Sequence, residues 1–242
     1  MKLVWADECD AAAGTPPDPD LWAQRQTDQW QPEGELQTYV PDIANAFHDG
    51  AGHLVITAVR HDRGSRPFTS ARLSARHAPA RHLFRFGRFA ARLRIPTGAG
   101  IWPAWWLLGE DDRYGWPGCG EIDIMEAPSG PDTAGQIHQG THSPSASTGD
   151  AVSVGVTPSA GSWGDDFHLY TVDWRPGRIG FSIDDRPTGT VSREQVEAAG
   201  GRWRFDDVAM APVLNLAVGG WAGPAGEWQR QEMLVDWVRI WA

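Results

Sequence analysis

Hydrophobic and polar residues alternate along several short stretches of the chain, which is the pattern of half-buried β-strands. The clearest stretch is 83–95, where one predicted face carries Leu83, Phe89, Ala91, Leu93 and Ile95 and the other carries Arg88, Arg92 and Arg94. Further strands are predicted at Leu54–Val59, Phe167–Trp174, Arg178–Ile183, Pro212–Val218 and Met233–Trp241. Asp184 and Asp185 are expected to turn the chain into the second strand of a hairpin.

One stretch, SREQVEAAGG, has the signature of a helix. Ser192 can cap it, Gln195 can complete a capping box, and Gly200 or Gly201 can end it. Many short strands with so little helix predict an all-β fold, a sandwich of two antiparallel sheets with a curved face. The terminal stretches LVWADE and MLVDWVRIW both resemble strands and are expected to lie near each other.

Length and charge narrow the functional classes. The 242 residues suit one domain over 1–242, and no apolar run approaches the ~20 residues that would span a membrane. The net charge of −10 disfavours nucleic-acid binding. Half of the arginines fall between Arg60 and Arg94, but they alternate with apolar residues as on the solvent face of a strand. Cys9 and Cys119 are too few for a disulfide framework.

Tryptophan is unusually frequent, with fourteen in the chain. One interpretation is a tryptophan-rich core. The other is a carbohydrate cleft, because the flat C–H faces of sugar rings pack on indole planes while their hydroxyls find polar partners.

Three carboxylates stand among apolar residues in the stretch CGEIDIMEAPSG. On a regular strand Glu121 and Asp123 would share one face, whereas Glu126 would join the isoleucines in the core at a cost of several kcal/mol. A β-bulge near Met125 removes this conflict, because one extra residue returns Glu126 to the face of the other acids.

Two glutamates on one face suit the chemistry of a retaining glycosidase, which needs carboxyl groups about 5–5.5 Å apart. Asp123 between them can hydrogen-bond to one and raise the proton affinity of both by repulsion. A solvated strand edge and a calcium site are the alternatives. The flanking Trp102 and Trp106, which share a strand face, and Trp116 favour a cleft.

The chain resembles the bacterial laminarinases, which are endo-β-1,3-glucanases of glycoside hydrolase family sixteen. The resemblance rests on segments that include FGRFAARLRIPTGAGIWPAWWLLG, GWPGCGEIDIMEAPSG, HQGTH, LNLAVGG and MLVDWVRIW. The central signature has the bulged form, with two residues between Asp123 and Glu126. The resemblance implies a β-jelly roll whose concave sheet forms an open groove.

The resemblance also implies roles for individual residues. Glu121 would be the nucleophile, Glu126 the acid/base and Asp123 the residue that assists between them. The implied substrate-binding residues are Asn45, Arg72, Trp102, Trp106, Trp116, His138, His142, Asn215 and Trp221. Catalysis would need no cofactor, while a structural Ca²⁺ would be held at Glu8, Gly52 and Asp236.

Cellular context and partners are expectations of the same kind. No signal peptide precedes MKLVWADE, so the chain is expected to be either cytoplasmic or the mature part of a secreted protein, and the resemblance favours secretion. The expected partner is a β-1,3-glucan bound by a monomer, without nucleic acid or membrane. The segment that contains Glu33, Gly34 and Glu35 departs from the family pattern and is expected to form part of the groove wall.

Three functions remain open from the sequence. The first is retaining endo-hydrolysis of β-1,3-glucans. The second is hydrolysis of a galactan or a mixed-linkage glucan by a related branch of the family. The third is a β-glucan-binding protein without catalysis, a class that commonly loses one or both glutamates, whereas this chain keeps Glu121 and Glu126.

Overall fold

The computed structural model describes residues 1–26, 34–61 and 66–242, and nearly all of their regular structure is β-strand. In chain order the strands are β1 (Leu3–Asp7), β2 (Ala23–Gln24), β3 (Gln37–Tyr39), β4 (Ala46–His48), β5 (Leu54–Arg60), β6 (Phe68–Ser70), β7 (Arg72–Ser74), β8 (Gly87–Arg94), β9 (Ile101–Gly109), β10 (Glu121–Glu126), β11 (Gln136–Pro144), β12 (Ala151–Gly155), β13 (Ser159–Ala160), β14 (His168–Arg175), β15 (Arg178–Ile183), β16 (Arg186–Ser192), β17 (Met210–Val218) and β18 (Arg230–Trp241). The helices are α1 (Asp111–Tyr114) and α2 (Arg193–Ala198), with single 3₁₀ turns at Ala75–His77 and Gly220–Ala222.

The strands form two sheets, as the sequence predicts for a jelly-roll sandwich. The outer sheet has the order β16-β15-β14-β8-β18-β5-β6-β3, with β1 added on β18 and β4 on β5. The groove sheet has the order β12-β11-β10-β9-β17-β7-β2, with β13 added on β11. Among the described residues every strand pair is antiparallel except β3 with β6, which is parallel and differs from the prediction.

The core lies between the two sheets and draws on both ends of the chain. Trp5 of β1 and Ile240 of β18 are register partners and belong to the same buried cluster, which confirms that the terminal strands pair. Trp105 and Leu214 contribute from the groove sheet, and Trp174 contributes from the outer sheet. Burying large side chains of this kind stabilises the fold by about 1.5–3 kcal/mol each.

Most predicted strands are confirmed, and the turn after β15 has the expected backbone. Asp184 and Asp185 both have positive φ, 50° and 60°, which is the conformation that a tight hairpin requires. The strand in the stretch 83–95 is shorter than predicted. Phe86 has a φ of 67°, and Phe84 forms a bridge to Met210 of the groove sheet, so β8 begins only at Gly87.

The predicted helix is confirmed as α2. The Ser192 side chain accepts a hydrogen bond from the Gln195 backbone, and the Gln195 side chain accepts one from the Ser192 backbone, which completes the capping box. The sequence prediction of a single helix is wrong, because α1 forms between β9 and β10. Its four residues are too few for an apolar period to show in the sequence.

The arginines of the segment from Arg60 to Arg94 lie in different parts of the structure. Arg88 and Arg92 form ion pairs with Asp173 and Asp236 from neighbouring strands of the outer sheet, as expected for a solvent face. Arg76 is buried, and Arg72 lies in the groove described below. Within the described ranges, no helix is both long and apolar enough to cross a bilayer.

Candidate active site

Strand β10 carries one residue more than each of its neighbours, and this bulge sets the direction of the acids. Against β9, Asp123 faces Trp106 and Met125 faces Trp105, so Ile124 has no partner of its own. Against β11, the register shifts over the same interval. The apolar residues of β10, which are Ile122, Ile124 and Met125, are completely buried, whereas Glu121 and Glu126 are half-buried in the groove. The bulge predicted from the burial cost of Glu126 is confirmed.

A buried glutamine satisfies the backbone group that the bulge leaves unpaired. Gln139 of β11 donates its amide N–H to the carbonyl oxygen of Ile124 at 2.8 Å. Its own amide oxygen accepts the hydroxyl of Thr188, which belongs to β16 of the outer sheet, at 2.5 Å. Gln139 therefore links the two sheets and stabilises the bulge. Without it, the buried carbonyl of Ile124 would have no partner, at a cost of about 1–3 kcal/mol.

Each glutamate is held by a tryptophan N–H. Trp116 Nε1 donates to Glu121 Oε2 at 2.9 Å, and Trp102 Nε1 donates to Glu126 Oε1 at 3.1 Å. These bonds fix the orientation of both carboxyl groups toward the groove.

The segment that carries Trp116 is anchored by a buried arginine. Arg76 is 3% exposed, forms ion pairs with Asp111 and Asp112 of α1, and donates to the backbone oxygen of Gly109 at 3.2 Å. The turn before β10 is therefore attached to the edge of the groove sheet close to Glu121.

Asp123 and His142 form an ion pair beside the glutamates, with 3.3 Å between Oδ2 and Nε2. Strand pairing brings them together, because His142 faces Glu121 across the β10–β11 ladder. On the other side of the imidazole, the Ser153 hydroxyl lies 2.7 Å from His142 Nδ1. Ser153 is on β12 and is the register partner of His142.

Burial and mutual repulsion hold protons on this cluster. Desolvation, reinforced by the charge of Asp123, raises the pKa of Glu121 to about 8. Desolvation and the charges of Asp123 and Glu121 raise the pKa of Glu126 well above its usual range. Burial opposes a proton on His142, but the contact with Asp123 and the neighbouring negative charges raise its pKa to about 10. The site therefore combines a cation with carboxyl groups that retain protons near neutral pH.

Polar contacts order the groove floor beyond Glu126. Trp106 Nε1 donates to Asn215 Oδ1 at 2.7 Å, and Asn215 Nδ2 donates to the hydroxyl of Tyr39 at 3.1 Å. The guanidinium carbon of Arg72 lies 4.7 Å from the centre of the Trp106 ring. Glu35 also lines this part of the groove.

The groove has a volume of about 980 Å³ and crosses the strands of the groove sheet. Its tryptophans are on β9, on the turn before β10 and on the 3₁₀ turn after β17. They are Trp102, Trp106, Trp116 and Trp221, and the last two are 39% and 41% exposed. Past His142, on β12, the lining side chains are the small Ala151 and Ser153. The β9 side of the acids therefore carries Trp102 and Trp106, and the β12 side carries small side chains.

Most of the predicted site residues meet in this groove. Its lining includes Arg72, Trp102, Trp106, Trp116, Glu121, Asp123, Glu126, His142, Asn215 and Trp221. His138 is placed differently, because it packs edge-on against Trp221 with 4.5 Å between ring centres and is not among the lining residues. Burial lowers the pKa of His138.

The prediction for Asn45 is wrong. Its side chain is 2% exposed and donates to the backbone oxygen of Thr57 at 2.9 Å, between the outer-sheet strands β4 and β5. It supports the backbone there and does not reach the groove. In the predicted wall segment, Glu35 lines the groove and Glu33 lies outside the described residues.

Of two other lining residues, Tyr39 belongs to the segment DQWQPEGELQTY, which was expected to form part of the groove wall, whereas Ser153 had no signal in the sequence. The Tyr39 hydroxyl accepts a hydrogen bond from Asn215 Nδ2 at 3.1 Å, and strand pairing of the segment after His142 brings Ser153 to the groove. Ser153 belongs to no motif, so the sequence pattern gives no reason to single it out.

Two of the three positions implied for calcium, Glu8 and Asp236, lie near the pairing of β1 with β18. Asp236 is an extra residue in β18 opposite β8, and its carboxylate is 2.7 Å from Arg92. Glu8 binds Arg239 with both carboxylate oxygens, at 2.9 and 2.7 Å. Since that pair occupies its side chain, Glu8 could contribute only a backbone oxygen, which is what the resemblance implies. Gly52 has a φ of 92°.

An open groove on a β-sheet, with paired glutamates on its floor and tryptophans along its walls, is the arrangement of an enzyme that cleaves glycosidic bonds. The sequence profile of glycosyl hydrolases family 16 matches residues 44–239. The chain belongs to this family and is a glycoside hydrolase.

Similar proteins cover almost the whole chain. A β-glucanase of Rhodothermus marinus is 34% identical over 99% of this chain and 85% of its own length. A glucan endo-1,3-β-glucosidase of Cryptopygus antarcticus is 32% identical, over 86% of this chain and 81% of its own. The laminarinase catalytic domain of Thermotoga maritima superposes with a TM-score of 0.82 at 30% identity, over 99% of this chain and 97% of that one.

Proposed function

We propose that this enzyme hydrolyses internal β-1,3-glucosidic bonds of laminarin-like glucans with retention of anomeric configuration. The supporting observation is the bulge in β10, which directs Glu121 and Glu126 into one groove with a tryptophan N–H on each. The bulge also shortens the distance between their backbones to that between Leu108 and Ala104 of β9, about 13 Å. Long side chains that lean together can close much of this distance.

The charge states match two different roles. Glu126 is kept protonated by burial and by the charges of Asp123 and Glu121, as a general acid requires. Burial and the charge of Asp123 raise the pKa of Glu121 to about 8, and the Trp116 N–H and His142 oppose that rise, so these two contacts favour the ionised form that a nucleophile needs. In the first step a Glu121 oxygen bonds to the anomeric carbon while Glu126 protonates the departing glycosidic oxygen. In the second step Glu126 takes a proton from water, which attacks the anomeric carbon and releases Glu121.

The β-1,3 linkage and the glucose units are inferred from the relatives, two of which bear names that specify 1,3-glucan or laminarin. The groove is compatible with this substrate, because Trp102, Trp106 and Trp116 line it with indole rings on which sugars can pack. An open groove also suits attack within a chain, since neither end of the polysaccharide needs to enter a closed pocket.

The decisive experiment follows the first product of laminarin by proton NMR. The β-anomer should appear first and mutarotate later, and Glu121→Gln should lose measurable hydrolysis while it keeps the wild-type circular dichroism. First release of the α-anomer, or full activity of the variant, would exclude the mechanism.

Two alternatives are tested with the same material. A galactan or mixed-linkage enzyme would release more reducing ends from agarose, carrageenan or lichenan than from laminarin. A glucan-binding protein without catalysis would bind laminarin and give no product after long incubation. We favour hydrolysis because both glutamates are present in the groove and each has a hydrogen-bond donor.

Residues 1–242 are further proposed to act as one secreted, monomeric catalytic domain that needs no cofactor. A structural Ca²⁺ at Asp236 and at the backbone oxygens of Glu8 and Gly52 is a separate proposal. The bulge at Asp236 supports it, since an extra strand residue frees backbone groups from the ladder. Ca²⁺ should then raise the melting temperature of the wild type but not of Asp236→Ala, with little effect on laminarin hydrolysis at room temperature.

A further inference from the structure

We propose that Glu121, Asp123 and His142 also form a binding site for Zn²⁺, through which the metal reversibly inhibits the enzyme. Binding itself is independent of the function proposed above, whereas its inhibitory consequence rests on that function.

The donor atoms of the three side chains already have nearly the right spacing. One carboxylate oxygen from each acid and a ring nitrogen of His142 all lie within 4.8 Å of one another. Zinc bonds to nitrogen and oxygen are about 2.0–2.2 Å long, so tetrahedral ligands stand roughly 3.3–3.6 Å apart. The 3.3 Å between Asp123 Oδ2 and His142 Nε2 matches this value. Glu121 would need a small movement to complete the set.

Asp123 supplies an independent observation. It is 3% exposed, and among the described residues its Oδ2 has no aligned hydrogen-bond donor, although His142 Nε2 is only 3.3 Å away. The nitrogen and the oxygen therefore approach each other without pointing directly at each other. Oδ2 is buried and poorly aligned with this donor, and a cation that displaces the proton of His142 Nε2 would bind both atoms.

Two of the three ligands are also oriented by hydrogen bonds to neighbouring side chains, as zinc ligands in proteins usually are. The Ser153 hydroxyl lies 2.7 Å from His142 Nδ1, so that nitrogen can keep its proton while Nε2 faces the acids. Trp116 Nε1 donates to Glu121 Oε2 at 2.9 Å, which fixes this carboxyl group beside Asp123 and His142. Asp123 is fixed by burial within β10.

Charge favours a dication at this position. Asp123 and Glu121 lie close together in the groove, so their carboxyl groups repel each other when both are ionised. A nitrogen with two carboxylate oxygens is a donor set that Zn²⁺ accepts readily, with a fourth position open to water from the groove. The metal must displace protons from its ligands, so binding releases protons into the solution.

Occupancy would stop hydrolysis directly. A metal bound to Glu121 engages the lone pair that has to attack the anomeric carbon, and it occupies space on the groove floor where the sugar lies. Zn²⁺ and glucan should therefore exclude each other, so Zn²⁺ should raise KM more than it lowers kcat.

The test measures Zn²⁺ binding by titration calorimetry, with excess Ca²⁺ present to occupy sites made of oxygen alone. Binding is measured in Glu126→Gln, which removes a catalytic group outside the donor set and so separates binding from turnover. One Zn²⁺ per chain is expected, and laminarin oligosaccharides should compete with it. Co²⁺ serves as a spectroscopic probe, since four-coordinate Co²⁺ absorbs visible light far more strongly than the hydrated ion.

Two histidine variants in the same background decide whether this site is the one that binds. His142→Gln should weaken Zn²⁺ binding about tenfold or more, because it removes a ligand. His138→Gln is the matched control, since His138 is on the same strand but outside the donor set, and it should bind Zn²⁺ normally. Equal affinity in both variants, or no saturable Zn²⁺ binding, would overturn the proposal. Either result would leave the NMR test of hydrolysis unaffected.

Discussion

Gln139 donates its side-chain N–H to the carbonyl oxygen of Ile124, the one residue of β10 without a partner on β9. This bond fixes the peptide that changes the parity of the strand. Without the bulge, Glu126 would point toward Ile122 and Ile124 in the core. The orientation of the acid/base group therefore depends on a side chain that never touches the substrate.

Thr188→Val tests this dependence, because Thr188 orients Gln139 from the opposite sheet. The isosteric change leaves the buried amide oxygen of Gln139 without its donor, which should destabilise the protein by about 1–3 kcal/mol. We expect kcat on laminarin to fall by about tenfold at nearly unchanged KM, since a transition-state loss of ~1.4 kcal/mol has that effect. Steady-state kinetics and urea unfolding measure the two effects.

Two companion variants make that result specific. Thr188→Ser keeps the hydroxyl, so its kcat should be close to that of the wild type. Thr190→Val changes a threonine on the same strand whose hydroxyl accepts from Arg178 at 3.2 Å, and it should leave kcat unchanged. An equal loss of kcat in all three variants would show that the strand matters and the bond to Gln139 does not.

The bulge could be predicted from the sequence because a regular strand would place the carboxyl group of Glu126 in the apolar core. Glu126 in the core would have cost several kcal/mol, so the pattern EIDIME favoured a bulge. Gln139 could not be predicted in the same way, since its acceptor exists only after the bulge forms and its other partner comes from the second sheet.

Two of the errors of residue placement have a related cause. Asn45 is a polar residue in a motif shared with the family, and nothing in the chain says that its amide is used by Thr57. Leu83 continued an alternating pattern, but the positive φ of Phe86 ends that pattern before β8 begins. The alternation of polar and apolar residues encodes neither cause. Asn45 was decided by a contact with a residue distant in sequence, and Leu83 by the local backbone geometry.

Trp116→Phe should move the acidic limb of the pH profile of kcat/KM to higher pH. The indole N–H of Trp116 lowers the pKa of Glu121, which burial otherwise raises to about 8. Loss of that donor raises the pKa further, so a higher pH is needed to ionise the nucleophile. Trp106→Phe is the control, because its N–H goes to Asn215 and to no acid. An equal shift in both variants would contradict this assignment.

Arg76→Gln should destabilise the fold and loosen the segment that carries Trp116. Arg76 is 3% exposed and holds Gly109, Asp111 and Asp112, so we expect a loss of about 2 kcal/mol in the free energy of unfolding and a higher KM. Arg81→Gln is the matched control. Its 58% exposed side chain lies 3.6 Å from Glu110, and such a pair contributes about 0–1 kcal/mol. Similar losses of unfolding free energy in the two variants would show that Arg76 contributes no more than an exposed ion pair.

His142→Gln should shift both limbs of the pH profile upward. The positive charge of His142 lowers the pKa values of Glu121 and Glu126, so its removal makes both carboxyl groups retain protons to higher pH. Glu121 then ionises later, which moves the acidic limb, and Glu126 stays protonated longer, which moves the basic limb. Kinetics on laminarin across the pH range record both limbs.

The stability of the same variant gives a second, independent readout. The pKa of His142 is about 10 in the folded protein and has an ordinary value of 6.5. Its contribution to stability should therefore be complete below pH 6.5 and disappear as the pH rises toward 10. The difference in unfolding free energy between wild type and His142→Gln should be largest in acid and shrink in base. A difference that is constant with pH would mean that His142 acts through packing and carries no charge in the folded enzyme.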